Sequence, residues 1–241
     1  MTEQSVKTAG VDRTHDDSKI NKLFFSLGHL AILIVCCWLV LFDGLTVLGA
    51  QFDQQWQFTD MNRAYVLLGC VALYWCRHIA TLFYLLPRKV ALSEVMELLI
   101  FFAIFEIGLL LVGGGVLQQD AIPFAWLDVA ACLLLFIGSY LNSYSELQRK
   151  WWKQKPENKG RCYTQGLFKH AMHINYFGDI IMFTGWCLFT HNIWTLMLPL
   201  LMTLMFIYYH IPGLDRYLAD RYGSEFTAYE KKTKKLIPYL Y

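Results

Sequence analysis

The chain has 241 residues, 56% of them apolar and 17% charged, a balance that excludes an ordinary water-washed surface and points to lipid as the solvent. Its formal net charge of +2 is too small to imply a nucleic-acid partner, so the placement of the basic residues matters more than their number. Seven cysteines fall mostly in apolar stretches without CxxC or Cys/His spacing, which gives no zinc or cluster site and leaves them as packing residues.

Residues 1–22 are polar and carry Lys7, Arg13, Lys19 and Lys22 among Ser, Thr and Asp. They are expected to be a flexible cytosolic tail, and not a cleavable signal, because the apolar run behind them is too long and has no clear small-residue cleavage site. Apolar stretches follow near 24–50, 64–86, 95–117, 122–146, 174–190 and 193–211. A helix needs about 20 residues to cross the hydrocarbon, so the expected fold is an all-α polytopic membrane bundle of about six transmembrane helices, the fifth being short.

The connections alternate in charge. Segment 51–62 has no basic residue, nor do 117–122 and 190–193. The intervening segments carry Arg88 and Lys89, then six Lys and Arg between Arg149 and Arg161, then six more between Arg216 and Lys235. By the positive-inside rule the basic segments and both termini face the cytosol. The chain thus divides into the tail 1–22, a four-helix transmembrane region 23–146, and a C-terminal region 147–241 of basic loop, two spans and tail. The location this implies is a multi-pass protein of a bacterial inner membrane or the endoplasmic reticulum, with its active region on the cytosolic side.

Soluble nucleotide-binding and hydrolase signatures are absent: there is no GxGxxG in a strand-helix context, no GxxxxGK[ST], no GxSxG and no HExxH. Chemistry is left to polar residues at the entry of the fifth helix, where His173, Asn175, Tyr176 and Asp179 fall within two turns beside Gly178, and Asn175 and Asp179 share a face. Four such groups at a membrane boundary point to a site, against the plain alternative of an Asp that caps or pairs with a lysine. From about Leu214 the chain reads as a short amphipathic helix to Arg221, a turn at Gly223, a second helix through Tyr229 and a Pro-containing end. It serves as an interfacial anchor or as a cover for a cofactor.

The run GLFKHAMHINYFGD (166–179) and the tail residues Arg221-Tyr222-Gly223, Tyr229 and Ile237-Pro238-Tyr239 resemble the C-terminal half of the superfamily of steroid 5-alpha-reductases, sterol C14-reductases and isoprenylcysteine carboxyl methyltransferases. The usual run there is GL-x-x-x-x-R-H-P-N-Y-x-G-[DE]; Gly166, Leu167, His173, Asn175, Tyr176, Gly178 and Asp179 agree with it. Met172 stands where Arg is usual and Ile174 where Pro is usual. The resemblance covers about residues 160–241.

It implies a pocket in the C-terminal region for NADPH or, alternatively, S-adenosylmethionine, with a lipidic substrate entering from the bilayer. The methyltransferases show two adjacent acids before the tail helix; here that place reads Leu214-Asp215. The Asn-Tyr-x-Gly-Asp run and the Ile-Pro-Tyr ending are closer to the reductases. The expected function is therefore an NADPH-dependent reductase acting on the carbon–carbon double bond of a steroid-like or other lipidic enone, with an S-adenosylmethionine-dependent methyltransferase as the alternative. His173, Asn175, Tyr176, Gly178, Asp179, Asp215, Arg216, Tyr222 and Tyr229 are the residues expected to serve the cofactor, with Lys169, His170 or Arg216 making up for the arginine missing at Met172.

Reduction of an enone needs an acid near the substrate carbonyl. Glu106 lies about 16 Å along a helix that starts near Val95, close to mid-membrane, where a carboxyl protonated by desolvation suits hydrogen-bond donation. Glu97 is nine residues away and about 180° around the same helix, so at most one of the two acts. Tyr144 is a further candidate donor. Arg77 and His78 are expected to reach toward the cytosol without a chemical role.

Overall fold

The computed structural model describes residues 7–8, 11–12, 17–116 and 120–241. The described chain is helical almost throughout, apart from a two-residue antiparallel pairing of β1 (Lys7–Thr8) with β2 (Val11–Asp12). Most of the tail expected over 1–22 lies outside the described residues, as does part of the expected outer loop 117–122. From Lys19 onward the tail region is already helix.

Among the described residues nine α-helices follow in chain order: α1 (Lys19–Leu41), α2 (Gly44–Gln51), α3 (Met61–Ala80), α4 (Leu92–Gly113), α5 (Trp126–Lys153), α6 (Ile174–Leu188), α7 (Met197–Met205), α8 (Ile211–Tyr222) and α9 (Ser224–Glu230). Among the described residues five helical stretches are long and apolar enough to cross a membrane: 19–41, 61–85, 92–113, 126–153 and 193–222. Their outward faces are apolar too. On α4, Ile100 and Ile104 are exposed while Phe102, Leu109 and Leu110 are buried, a helix apolar all round that water would not tolerate and lipid does.

The crossing expected to be short, the fifth of about six, is α6: its 15 residues reach about 22 Å at 1.5 Å per residue, less than the roughly 30 Å hydrocarbon layer. A correction concerns the last span, expected to stop near residue 211 ahead of a separate amphipathic helix. α7, a π-helical turn over Phe206–His210 and α8 form one continuous stretch. Pro212 comes just after the π-helical turn, at the start of α8. The turn at Gly223 is present at φ +51°, a left-handed value that glycine adopts without cost, and α9 carries the chain through Tyr229. The basic loop is shorter than its sequence suggests, because α5 runs on to Lys153.

The chain forms two compact units. One comprises 14–131 and 186–196, the other 1–13, 132–185 and 197–241. The first is a helical unit with an aromatic core in which Phe25, Phe102, Phe105, Tyr74 and Trp186 meet ring to ring. At one end of this unit Lys22 Nζ donates to Leu86 O at 2.6 Å, Asn21 to Val90 O at 2.8 Å, and Val90 N to Ser18 Oγ at 3.0 Å. These bonds tie the start of α1 to the α3–α4 connection. At the other end Arg63, 1% exposed, donates to Asp60, Asp128, Phe189 O and Ile122 O.

In the second unit α5 and α6 cross at two glycines. A Cβ on Gly178 would stand 2.5 Å from Asn142 N and 2.8 Å from Gly138 O. Only bare backbone allows that approach, the small-residue packing usual between helices in lipid. The crossing brings the polar residues of both helices together.

Candidate functional site

The C-terminal unit gathers its polar side chains at the crossing of α5 and α6 and at the base of α8. Asn142 Nδ2 donates to Asp179 Oδ2 at 2.9 Å and to Asn175 O at 3.0 Å. Asn175 Nδ2 in turn donates to Glu146 Oε1 at 3.0 Å, and Glu146 pairs with Arg149. Asn142 and Glu146 are four apart on α5, as Asn175 and Asp179 are on α6, so two i,i+4 faces meet. The face shared by Asn175 and Asp179 is thus the one turned to α5.

Just ahead of α6, His173 is 1% exposed. Its Nε2 is 2.8 Å from Asp215 Oδ1, and Asp215 Oδ2 accepts from Lys235 Nζ at 2.8 Å. Lys235 also pairs with Glu230 at 3.2 Å. Burial works to lower the lysine's pKa, but its bond to Asp215 and then that to Glu230 outweigh this and leave it raised. The tail is held by its backbone as well: Met172 N donates to Lys234 O and His173 N to Lys235 O, each at 2.8 Å.

Aromatic rings border the same region. Tyr176 stacks on His173 at 5.6 Å between centroids and on Phe206 at 4.5 Å, nearly parallel in both cases. Tyr222 accepts from Lys153 Nζ at 2.8 Å, and the ammonium lies 4.6 Å from its ring centroid. Tyr229 is buried; its hydroxyl donates to Phe168 O, and desolvation pushes its pKa up. Arg216 and Lys169 are exposed, and His170 bonds to Tyr239.

The two departures from the usual run have a packing explanation. Met172 is buried with Phe226 and Tyr229, and Ile174 with Tyr163, Phe168 and Ala171. Both positions serve an apolar core here, so no charge stands at 172. The nearest basic residues of this unit to the polar groups are Arg149 on Glu146, Lys153 on Tyr222 and Lys235 on Asp215.

Of the residues expected to serve a cofactor, His173 and Asp215 are joined directly, Asn175 and Asp179 are joined through Asn142, and Tyr176, Gly178 and Tyr222 border them. Tyr229 is a core residue under the tail. Sequence reasoning passed over Asn142, Glu146 and Lys235. Glu146 had a legible signal, as an acid four residues from Asn142 on one helix; Lys235 had none, since it stands among four lysines in five positions, 231–235.

The candidate acids are dispersed. Tyr144 is half-buried on α5, stacked on Tyr140 at 5.0 Å. Glu97 is exposed. Glu106 belongs to the first unit, fully buried, with Oε1 2.8 Å from His29 Nε2. His78 is corrected: it does not reach out but is buried, its Nδ1 2.7 Å from His29 Nδ1. Asp128 pairs with Arg63 and, at 2.9 Å, with His191.

A family described as a protein of unknown function, DUF1295, matches residues 83–233, more than half of the chain. The chain belongs to this family. The DUF1295 match takes in α4 to α9, and with them the Asn142–Asn175–Asp179 group, the His173–Asp215 pair and Glu106. His29 and His78 lie ahead of it. Comparison with curated proteins gives no match.

Proposed function

We propose that the protein is a membrane-embedded reductase that uses NADPH to saturate the carbon–carbon double bond of a steroid-like or other lipidic enone. The observation that carries this reading is the convergence of Asn142, Glu146, Asn175 and Asp179 at one helix crossing. Two of these, Asn175 and Asp179, lie within the run that resembles the reductases. A membrane helix bundle keeps four such groups together only with their bonds satisfied.

The donor set fits a dinucleotide. Amides and carboxylates suit ribose hydroxyls and a carboxamide, and Arg149, Lys153 and Lys235 supply the positive charge that phosphates need. Asn142, Asn175 and Asp179 would hold the hydroxyl-bearing parts, and Tyr176 and Tyr222 offer ring faces. Asp215 acts at one remove, fixing His173 and the tail. When bound, NADPH supplies the hydride. The chain's own task is then to place a proton, for which Tyr144 is the candidate in this unit. The substrate class follows from the apolar outer faces of the helices: an enone soluble in lipid reaches such a site from the bilayer. The basic ends of the bundle, and with them this cluster, are placed on the cytosolic side by the positive-inside rule.

Equilibrium binding of NADPH and of S-adenosylmethionine to the detergent-purified protein, with Asp179→Ala and Asn142→Ala alongside, tests the reading. NADPH binding that both variants weaken supports it. Selective binding of S-adenosylmethionine would replace hydride transfer by methyl transfer at the same residues, and binding of neither would remove the cofactor site.

A further inference from the structure

Three buried ionisable side chains of the first unit form a continuous hydrogen-bonded line. His78 Nδ1 is 2.7 Å from His29 Nδ1, and His29 Nε2 is 2.8 Å from Glu106 Oε1. His29 and Glu106 have no exposed surface, whereas His78 retains 8%. Glu106 Oε2 is buried without a hydrogen-bond partner, an arrangement that costs free energy and so calls for an explanation. Each imidazole uses both sides or stands at the end of the line, so the three cannot converge on one metal ion.

Depth orders the same three residues. The start of α1, the end of α3 and the start of α4 lie at one end of the unit, as the Lys22–Leu86 and Ser18–Val90 bonds show. His78 is seven residues before Leu85, His29 ten after Lys19 and Glu106 fourteen after Leu92. At 1.5 Å per residue these are about 10, 15 and 21 Å from that end. The line therefore descends from the basic end of the span to its middle.

We propose that His78, His29 and Glu106 are a proton relay, His78 taking protons from solvent and Glu106 releasing them through Oε2 to an apolar ligand that carries a proton-accepting oxygen. At rest Glu106 holds its proton on Oε2, His29 donates from Nε2 to Oε1, and His78 donates from Nδ1 to the bare Nδ1 of His29. When the Oε2–H bond breaks toward the ligand, the His29 Nε2 proton passes to Oε1 and the His78 Nδ1 proton passes to His29 Nδ1. The bare Nε2 of His78 then takes one proton from solvent. One proton enters, one leaves, no electron moves, and every group is neutral before and after. That neutrality is what makes the path affordable in a low-dielectric interior, where a lone buried charge is costly.

The surroundings suit this. The rings of Phe25 and Phe102 pack on the two imidazoles. The titratable neighbours are Tyr74, edge-on to His29 at 5.5 Å, Arg77, whose charge acts on His78, and Cys36, a buried thiol near Glu106. The relay does not depend on the reductase reading, and its two histidines precede the region that the family match covers.

Infrared-detected hydrogen–deuterium exchange of the Glu106 carboxyl tests it without cofactor or substrate. The wild-type protein should show a protonated-carboxyl band at neutral pH that Glu106→Gln removes and that shifts quickly in D2O. His78→Phe should slow that shift roughly a hundredfold or more, the scale on which positioned proton transfer acts. His78→Gln, which keeps a hydrogen-bonding group against His29 but cannot pass a proton, should slow it equally and decides the matter if His78→Phe fails to fold. Exchange at the wild-type rate in the folded variants, or a wild type without the band, would overturn the proposal.

Discussion

His173 Nε2 and Asp215 Oδ1 stand 2.8 Å apart although 42 positions separate them in sequence. The bond joins the entry of α6 to α8, and Asp215 passes the connection on to Lys235 in the tail. Asp215→Ala strands an imidazole that is 1% exposed, and loss of one partner of a buried bond costs about 1–3 kcal/mol. Lys235→Ala should cost less than about 1 kcal/mol, because its ammonium side chain is 38% exposed and solvent screens the pair. Thermal unfolding of both variants in one detergent checks the order. A larger loss at Lys235 would mean that the tail, and not the helix pair, is the anchor.

Gly178→Ala should damage the site without touching a polar atom. The added methyl meets the Asn142 backbone nitrogen at 2.5 Å, and backbone cannot rotate aside, so α5 and α6 must part. Overpacking of this kind costs about 1–3 kcal/mol, and the separation stretches the Asn142–Asp179 bond. Cofactor binding should therefore fall in Gly178→Ala as it does in Asn142→Ala. Gly108→Ala is the control, since nothing lies within 4 Å of the added atom there. Equal behaviour of the two glycine variants would sink the argument.

These two sites differ in how far the sequence revealed them. Apolar runs and alternating charge made the membrane helices legible, because lipid imposes a length and a composition on each span. The polar group on α6 was legible for the same reason, polar residues being costly there. The partners were not. Nothing in the order of residues says that Asn142 meets Asp179, or that His29, His78 and Glu106 form one line, since all three pairings join positions at least 37 apart. His78 was misjudged because it follows Arg77, and a basic pair near a helix end looks like an interface anchor. The break expected near residue 211 is absent: the π-helical turn over Phe206–His210 leads straight into α8, and Pro212 comes just after it.

The α9 contact with the loop ahead of α6 should be lost at low pH and the tail clamp at high pH. Glu225 accepts from Cys162 N at 2.8 Å and from Arg161 Nε at 3.1 Å; these bonds, the backbone one first, hold its pKa below the ordinary glutamate value. A lowered carboxylate pKa contributes stability that is present above the ordinary glutamate range and disappears as pH falls through the lowered value. Lys235 has the opposite sign. Its raised pKa contributes stability that is complete below the ordinary lysine value and disappears as pH rises through the raised one. Hydrogen exchange at the Cys162 amide should accelerate, beyond its intrinsic pH dependence, only on the acid side. Exchange at the His173 amide, bonded to Lys235 O, should do so only on the alkaline side. Acceleration of both together would indicate global unfolding instead of two local releases.

Arg63 should be the least replaceable charged residue of the first unit. Its guanidinium is 1% exposed and bonds two carboxylates and two carbonyls, with Phe124 on its face at 4.6 Å. Removing one member of a buried ionic group costs about 3–5 kcal/mol, because the remaining charges stay buried without their counter-charge. Arg63→Ala leaves Asp60 and Asp128 in that state, whereas Arg63→Ala combined with Asp128→Asn removes one of the two stranded charges. The double variant should therefore be more stable than the single one. Lysine is a poor substitute, since a point charge cannot reach both carboxylates and both carbonyls as the planar fork does. Urea or thermal unfolding of the four forms in a double-mutant cycle measures the coupling. Additive losses would show that Arg63 and Asp128 stabilise the unit independently, and the ionic staple would then be discarded.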